Sequence, residues 1–138
     1  MLRAPVGAAM HILVIEDSDS IRHMIEVLVR ARGHEVEAVP TGAKGIDSAL
    51  TRPPQVILLD LHLPGPFDGF DVCRKLRQAE ATRRVPIIII SALTDDASKQ
   101  RALDAGATAY YTKPFSPTAL LKEIEWIPMR ESGRVPPK

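Results

Sequence analysis

The sequence predicts an α/β fold: five short parallel strands alternating with five helices, a doubly wound sheet covered on both faces. Three observations predict it. Continuous apolar runs recur at residues 12–15, 56–59 and 87–90, the pattern of strands buried on both faces. Stretches of helical periodicity lie between such runs, with capping residues at their starts and glycine or proline near their ends. The chain has 138 residues, 45% hydrophobic and 25% charged, which is one ordinary domain with enough apolar side chains for a core. Alternating strands and helices joined by right-handed crossovers give a parallel sheet.

Each element has its own signal. After the first strand, Asp19 or Ser20 can cap a helix whose apolar residues Ile21, Met24, Ile25, Leu28 and Val29 recur at helical spacing and stop at Gly33. Glu35–Val39 alternates polar and apolar as a shorter strand does, and residues 41–50 form a weaker helix, with two glycines, before the Pro53-Pro54 break. Val56–Asp60 is a buried strand. A loop rich in proline and glycine leads to a helix carrying Phe70, Cys73 and Leu76, and Pro86 opens the most apolar strand, which Ser91 ends. Residues 95–105 read as a helix closed by Gly106, Ala109–Thr112 as the fifth strand, and Ser116-Pro117 as the cap and first turn of a last helix reaching Trp126. Residues 1–9 read as a disordered leader, with Met10 as an alternative start, and residues 128–138 as a short tail.

Composition narrows the function. A net charge of +1 with interspersed signs lacks the basic face that nucleic-acid binding requires. The single cysteine, Cys73, can form no internal disulfide and falls in a helical pattern, where a packed thiol suits a reducing compartment. No apolar run approaches the ~20 residues that span a bilayer, and the opening residues lack a signal peptide's apolar core. The expectation is a cytoplasmic protein with neither a nucleic-acid nor a membrane partner.

The chemistry gathers beyond the strand ends. In open parallel sheets, residues past the carboxyl ends of the strands line one edge, where ligands bind. Glu16 and Asp17 follow the first strand there, Asp60 the third, Ser91 the fourth and Lys113 the fifth. Three carboxylates in one place repel one another unless a divalent cation sits among them, and an all-oxygen donor set suits Mg²⁺. A lysine opposite them calls for an anionic guest.

In order and separation these residues resemble the receiver domain of two-component response regulators, most closely the stand-alone chemotaxis type, over about residues 10–127. The resemblance rests on Glu16-Asp17, on Asp60 within LLDLHLP, on Ser91-Ala92 and on Lys113-Pro114-Phe115. It implies a flavodoxin-like strand order of 2-1-3-4-5 and a single-domain response regulator phosphorylated on Asp60. Glu16, Asp17, Asp60 and the backbone carbonyl of His62 hold Mg²⁺ in that reading. Ser91 and Lys113 hold phosphoryl oxygens, and the Lys113–Pro114 bond is cis. Ser91 and Tyr110 form the switch that alters the surface of the fourth helix, fifth strand and fifth helix. The implied partners are a sensor histidine kinase or histidine phosphotransfer protein and a downstream protein target. Such a domain catalyses its own phosphorylation and dephosphorylation and is not a turnover enzyme.

These residue types fit that chemistry. Phosphoryl transfer passes through a loose transition state, so catalysis is mostly positioning and charge neutralisation, which metal and lysine supply around a carboxylate nucleophile. The sequence departs from the family at one place: Gly69 follows Asp60 by nine residues where the usual spacing is eight, so the loop beside the pocket is longer. Tyr111 is expected in the core, and Phe115 and Trp126 as packing residues. The rival readings are a haloacid-dehalogenase-type phosphatase, which needs a second Asp where His62 stands, and a nucleotide binder, which needs a glycine-rich loop where 16–19 is acidic. A receiver-fold adaptor that works without phosphorylation is the third.

Overall fold

The structure is a computed structural model and describes residues 9–131. Its elements follow in the order β1 (His11–Ile15), α1 (Asp19–Ala31), β2 (Glu35–Val39), α2 (Gly42–Thr51), β3 (Val56–Asp60), α3 (Gly69–Gln78), β4 (Ile87–Ser91), α4 (Asp96–Asp104), β5 (Ala109–Thr112) and α5 (Pro117–Glu131). The five strands form one parallel sheet in the order β2-β1-β3-β4-β5, as expected. β1, β3 and β4 are buried along their whole length, which is why their sequences are continuous apolar runs.

Alternation along the strands divides the core in two. Ile12, Val14, Leu58, Ile88 and Ile90 face α1 and α5, packing on Ile25, Val29, Leu120 and Ile124. Leu13, Ile15, Ile57, Leu59 and Ile89 face α2, α3 and α4, where they meet Ala49, Phe70, Cys73, Leu76 and Ala102. Cys73 is a buried thiol, pushed up to about 11 by burial. The two glycines that weaken α2 as a helix are there for contact: a Cβ on Gly45 would lie 2.3 Å from Ile15 Cδ1, so α2 approaches β1 only without one.

Three expectations need correction. The cap of α1 is Ser18, whose Oγ accepts from the Ile21 amide, rather than Asp19 or Ser20. Glu16 Oε2 accepts from the Ser18 amide at 3.1 Å and draws the chain into the helix one residue early. The last helix does not stop at Trp126 but continues through Pro128 to Glu131. Pro128 lacks an amide hydrogen and crowds the carbonyl one turn back, yet Ile127 and Met129 on either side are buried, and that packing holds the helix past it. Trp126 is 44% exposed: Leu120, Ile124 and Ile127 turn one face of α5 to the sheet and leave residue 126 on the other. Tyr111 and Phe115 are half-buried against the α1/α5 side. The expected leader and most of the expected tail, residues 1–8 and 132–138, lie outside the described residues.

Candidate functional site

The sheet places the predicted residues at its carboxyl edge. Asp60 is the last residue of β3 and Ser91 the last of β4, while Glu16 and Lys113 stand one past β1 and β5. The chain leaves β1 for the helix on one face and β3 for the helix on the other, so a crevice opens between these adjacent strands. Backbone bonds fix its rim: Glu16 N donates to Val39 O at 3.0 Å and Lys113 N to Ser91 O at 2.8 Å. The Lys113–Pro114 peptide bond is cis.

Carboxylate oxygens of Glu16, Asp17 and Asp60 lie within 4.8 Å of one another. Glu16 and Asp60 are buried and Asp17 is exposed, so the cluster has a closed floor and an open side. Lys113 Nζ is 2.9 Å from Glu16 Oε1 and 3.4 Å from Asp60 Oδ2, and the His62 amide donates to Asp60 Oδ1 at 3.1 Å. The two buried acids respond differently. Burial pushes Asp60 up to about 7, and the neighbouring charge of Glu16 adds to that. Burial also acts to raise Glu16, but the Lys113 ammonium and the Ser18 amide outweigh it and hold Glu16 below the usual carboxylate range. Lys113 is raised because its bonds and charge pairing with these acids overcome its own burial. One lysine therefore neutralises one buried acid and leaves the second short of a cation. That shortage, and a donor set made only of hard oxygens, fits Mg²⁺.

Ser91 is fully buried, and its Oγ accepts from the Leu93 amide at 3.0 Å. Tyr110 packs inward against the α2/α3/α4 side and its hydroxyl donates to the Leu93 carbonyl at 2.8 Å. The two expected switch residues thus hold the two ends of the same residue in the β4–α4 loop. The longer loop after β3 is closed by Gly69, whose amide donates to Leu61 O at 2.9 Å. A Cβ there would lie 2.4 Å from Asp60 O, so the loop passes directly against the backbone of Asp60.

Sequence reasoning missed Arg22. Its Nη1 donates to the Glu16 carbonyl at 2.8 Å and the Asp17 carbonyl at 3.4 Å, and its Nη2 to Asp19 Oδ1 at 2.5 Å. A signal was available: a cation near the amino end of a helix opposes the macrodipole and calls for a local reason.

Comparison with known proteins agrees with this geometry. Residues 12–125 match the family described as the response regulator receiver domain. The chain belongs to that family. Receiver domains serve two-component systems as phosphoacceptors and interact with histidine kinases or phosphotransfer proteins. This one is 40% identical over 114 residues to the transcriptional regulatory protein CseB of Streptomyces coelicolor, covering 83% of this chain and 47% of CseB. It is 34% identical over 125 residues to the DNA-binding dual master transcriptional regulator RpaA of Synechocystis sp., covering 91% of this chain and 51% of RpaA. The chain therefore spans about half the length of these relatives. Among solved structures it is similar to the receiver domain of sensor histidine kinase PA1611 from Pseudomonas aeruginosa PAO1, with TM-score 0.78 and 33% identity over 91% of this chain and 99% of that one. That domain holds a magnesium ion in its active-site cleft. Membership in the receiver family leaves the phosphatase and nucleotide-binding readings without support. Among the described residues no helix is long and apolar enough to cross a membrane.

Proposed function

We propose that this receiver domain is a Mg²⁺-dependent phosphoacceptor switch in which Asp60 carries the phosphoryl group. The observation that supports it most is the setting of Asp60: a buried strand-end carboxylate within 4.8 Å of two other acids and 3.4 Å from a lysine ammonium. Glu16, Asp17, Asp60 and the backbone carbonyl of His62 are the proposed metal ligands. When bound, Mg²⁺ supplies positive charge to offset the repulsion between the acids and an incoming phosphoryl group.

The chain's own groups do the rest. Asp60 loses its proton to solvent, and one of its carboxylate oxygens forms the new P–O bond as the bond from phosphorus to a donor histidine, or to the acetate of a small phosphodonor, breaks. Lys113 already stands beside the reacting carboxylate and is proposed to follow the new phosphoryl oxygens. Ser91 Oγ turns from the Leu93 amide to donate to another phosphoryl oxygen in this reading. Tyr110 then keeps its bond to the Leu93 carbonyl while the Leu93 amide is released, and the surface of α4, β5 and α5 changes for its partner. The proposed phosphodonor is a histidine kinase or phosphotransfer protein. The proposed downstream partner is a protein, since a net charge of +1 supplies no basic face, and the proposed setting is the cytoplasm.

The test is incubation with acetyl phosphate and Mg²⁺ followed by intact mass measurement. Wild type gains one phosphoryl group and Asp60→Asn gains none; a full adduct on the variant would refute the assignment.

A further inference from the structure

We propose that Arg22 is the positioning residue that aims the metal-binding loop, an inference that rests on the phosphoacceptor reading and extends it to a side chain outside the acidic cluster. Asp17 poses the problem that Arg22 solves. Its carboxylate is exposed and has no hydrogen-bond partner among the described residues, so its direction is set only by the backbone that carries it. Glu16, in contrast, is held through its side chain by Lys113 and the Ser18 amide.

Arg22 fastens that backbone. Its Nη1 bridges the carbonyls of Glu16 and Asp17, two successive peptide groups, and so fixes the turn from β1 into α1 at the residue that must aim outward. The other arm of the guanidinium is held by Asp19, and the side chain is 18% exposed, so the fork has little freedom to swing away. A rigid planar fork suits two adjacent acceptors in a way that the point charge of lysine does not. Residues that orient metal ligands without touching the metal commonly carry much of a site's affinity. Arg22 acts on the carbonyl side of the loop while the carboxylates point to the crevice, and it touches none of the proposed reacting atoms.

The test uses Arg22→Gln and Arg22→Lys with two readouts. Calorimetric titration with MgCl₂ is expected to show about tenfold weaker binding for Arg22→Gln and only partial recovery for Arg22→Lys. Hydrogen exchange of the metal-free proteins is expected to show faster exchange at residues 16–18 in both, with the β3 and β4 amides unchanged. Wild-type Mg²⁺ affinity in Arg22→Gln, with binding lost in Asp17→Asn, overturns the positioning role and leaves the phosphoacceptor reading standing. Full recovery by Arg22→Lys overturns it too, because charge alone then suffices. If Arg22→Gln does not fold, the lysine variant decides alone by the same criteria. Undiminished binding in Asp17→Asn and Asp60→Asn would instead overturn the site itself.

Discussion

At Asp60 the proposed Mg²⁺ would compete with a proton for the same oxygens. Burial and the charge of Glu16 raise this carboxyl to about 7, while Glu16 stays ionised. Mg²⁺ binding must therefore displace a proton below that pH, and affinity is expected to rise about tenfold per unit up to pH ~7 and then level off. Calorimetry across pH 5–9 checks this, and Asp60→Asn should bind weakly with no such rise. The same shift acts on folding with the opposite sign from an acid whose partners lower its pKa. Since the unfolded carboxyl ionises near its ordinary value of 3.8, the unfolded state holds fewer protons between there and 7, and this group lowers stability as pH rises through that window. Asp60→Asn should then stabilise the metal-free protein at pH 8, measured by denaturant unfolding. The cluster itself was legible in the sequence because strand-end positions in a parallel sheet share one edge, whatever the details of packing. Arg22 was not, because its role depends on where a long side chain reaches across a turn.

The elements were legible in proportion to how far their signals are local. β3 and β4 are unbroken apolar runs and needed nothing else, whereas the cap of α1 moves from the expected Asp19 or Ser20 to Ser18, whose hydroxyl accepts from the Ile21 amide while its own amide donates to Glu16. Pro128 is a local stop signal that distant packing of Ile127 and Met129 overrides. The loop between β4 and α4 shows the same dependence on tertiary partners. Leu93 is held at its amide by Ser91 and at its carbonyl by Tyr110, so two elements share control of one peptide segment. Removing the Ser91 hydroxyl leaves the second hold in place. Ser91→Ala is therefore expected to accept phosphate on Asp60 and to show faster amide exchange at Leu93 before any phosphorylation. The further change produced by a stable phosphoryl mimic across residues 95–126 should be smaller than in wild type, since a ligand shifts an equilibrium only through contacts that differ between the states. An equal change in both proteins would rule out coupling through Ser91.

Across the whole molecule, the two ends of the parallel sheet do different work. The carboxyl end collects acids whose mutual repulsion costs stability and which form the proposed phosphoryl-transfer site, while the amino end carries a buried polar network that serves cohesion. There, His34 Nδ1 accepts from the Met10 amide at 3.0 Å, which places the ring proton on Nε2, donating to Glu125 Oε2 at 2.8 Å. Arg32 completes the set with Nη2 2.9 Å from Glu125 Oε1. This joins the end of α1 and the entry to β2 with α5, bridging more than 90 residues of sequence. Glu125 is 5% exposed and His34 4%, so replacing the carboxylate removes, inside the fold, the charge that Arg32 Nη2 meets at 2.9 Å. Glu125→Gln, which keeps the shape and loses the charge, is expected to lower unfolding stability by about 3 kcal/mol. Its Mg²⁺ affinity and its single phosphorylation should match wild type, because the pocket lies at the other end of the strands. Denaturant unfolding read beside calorimetry and intact mass separates the two effects. A change in Mg²⁺ affinity together with the loss of stability would mean that the ends of the sheet are coupled and do not divide chemistry from cohesion.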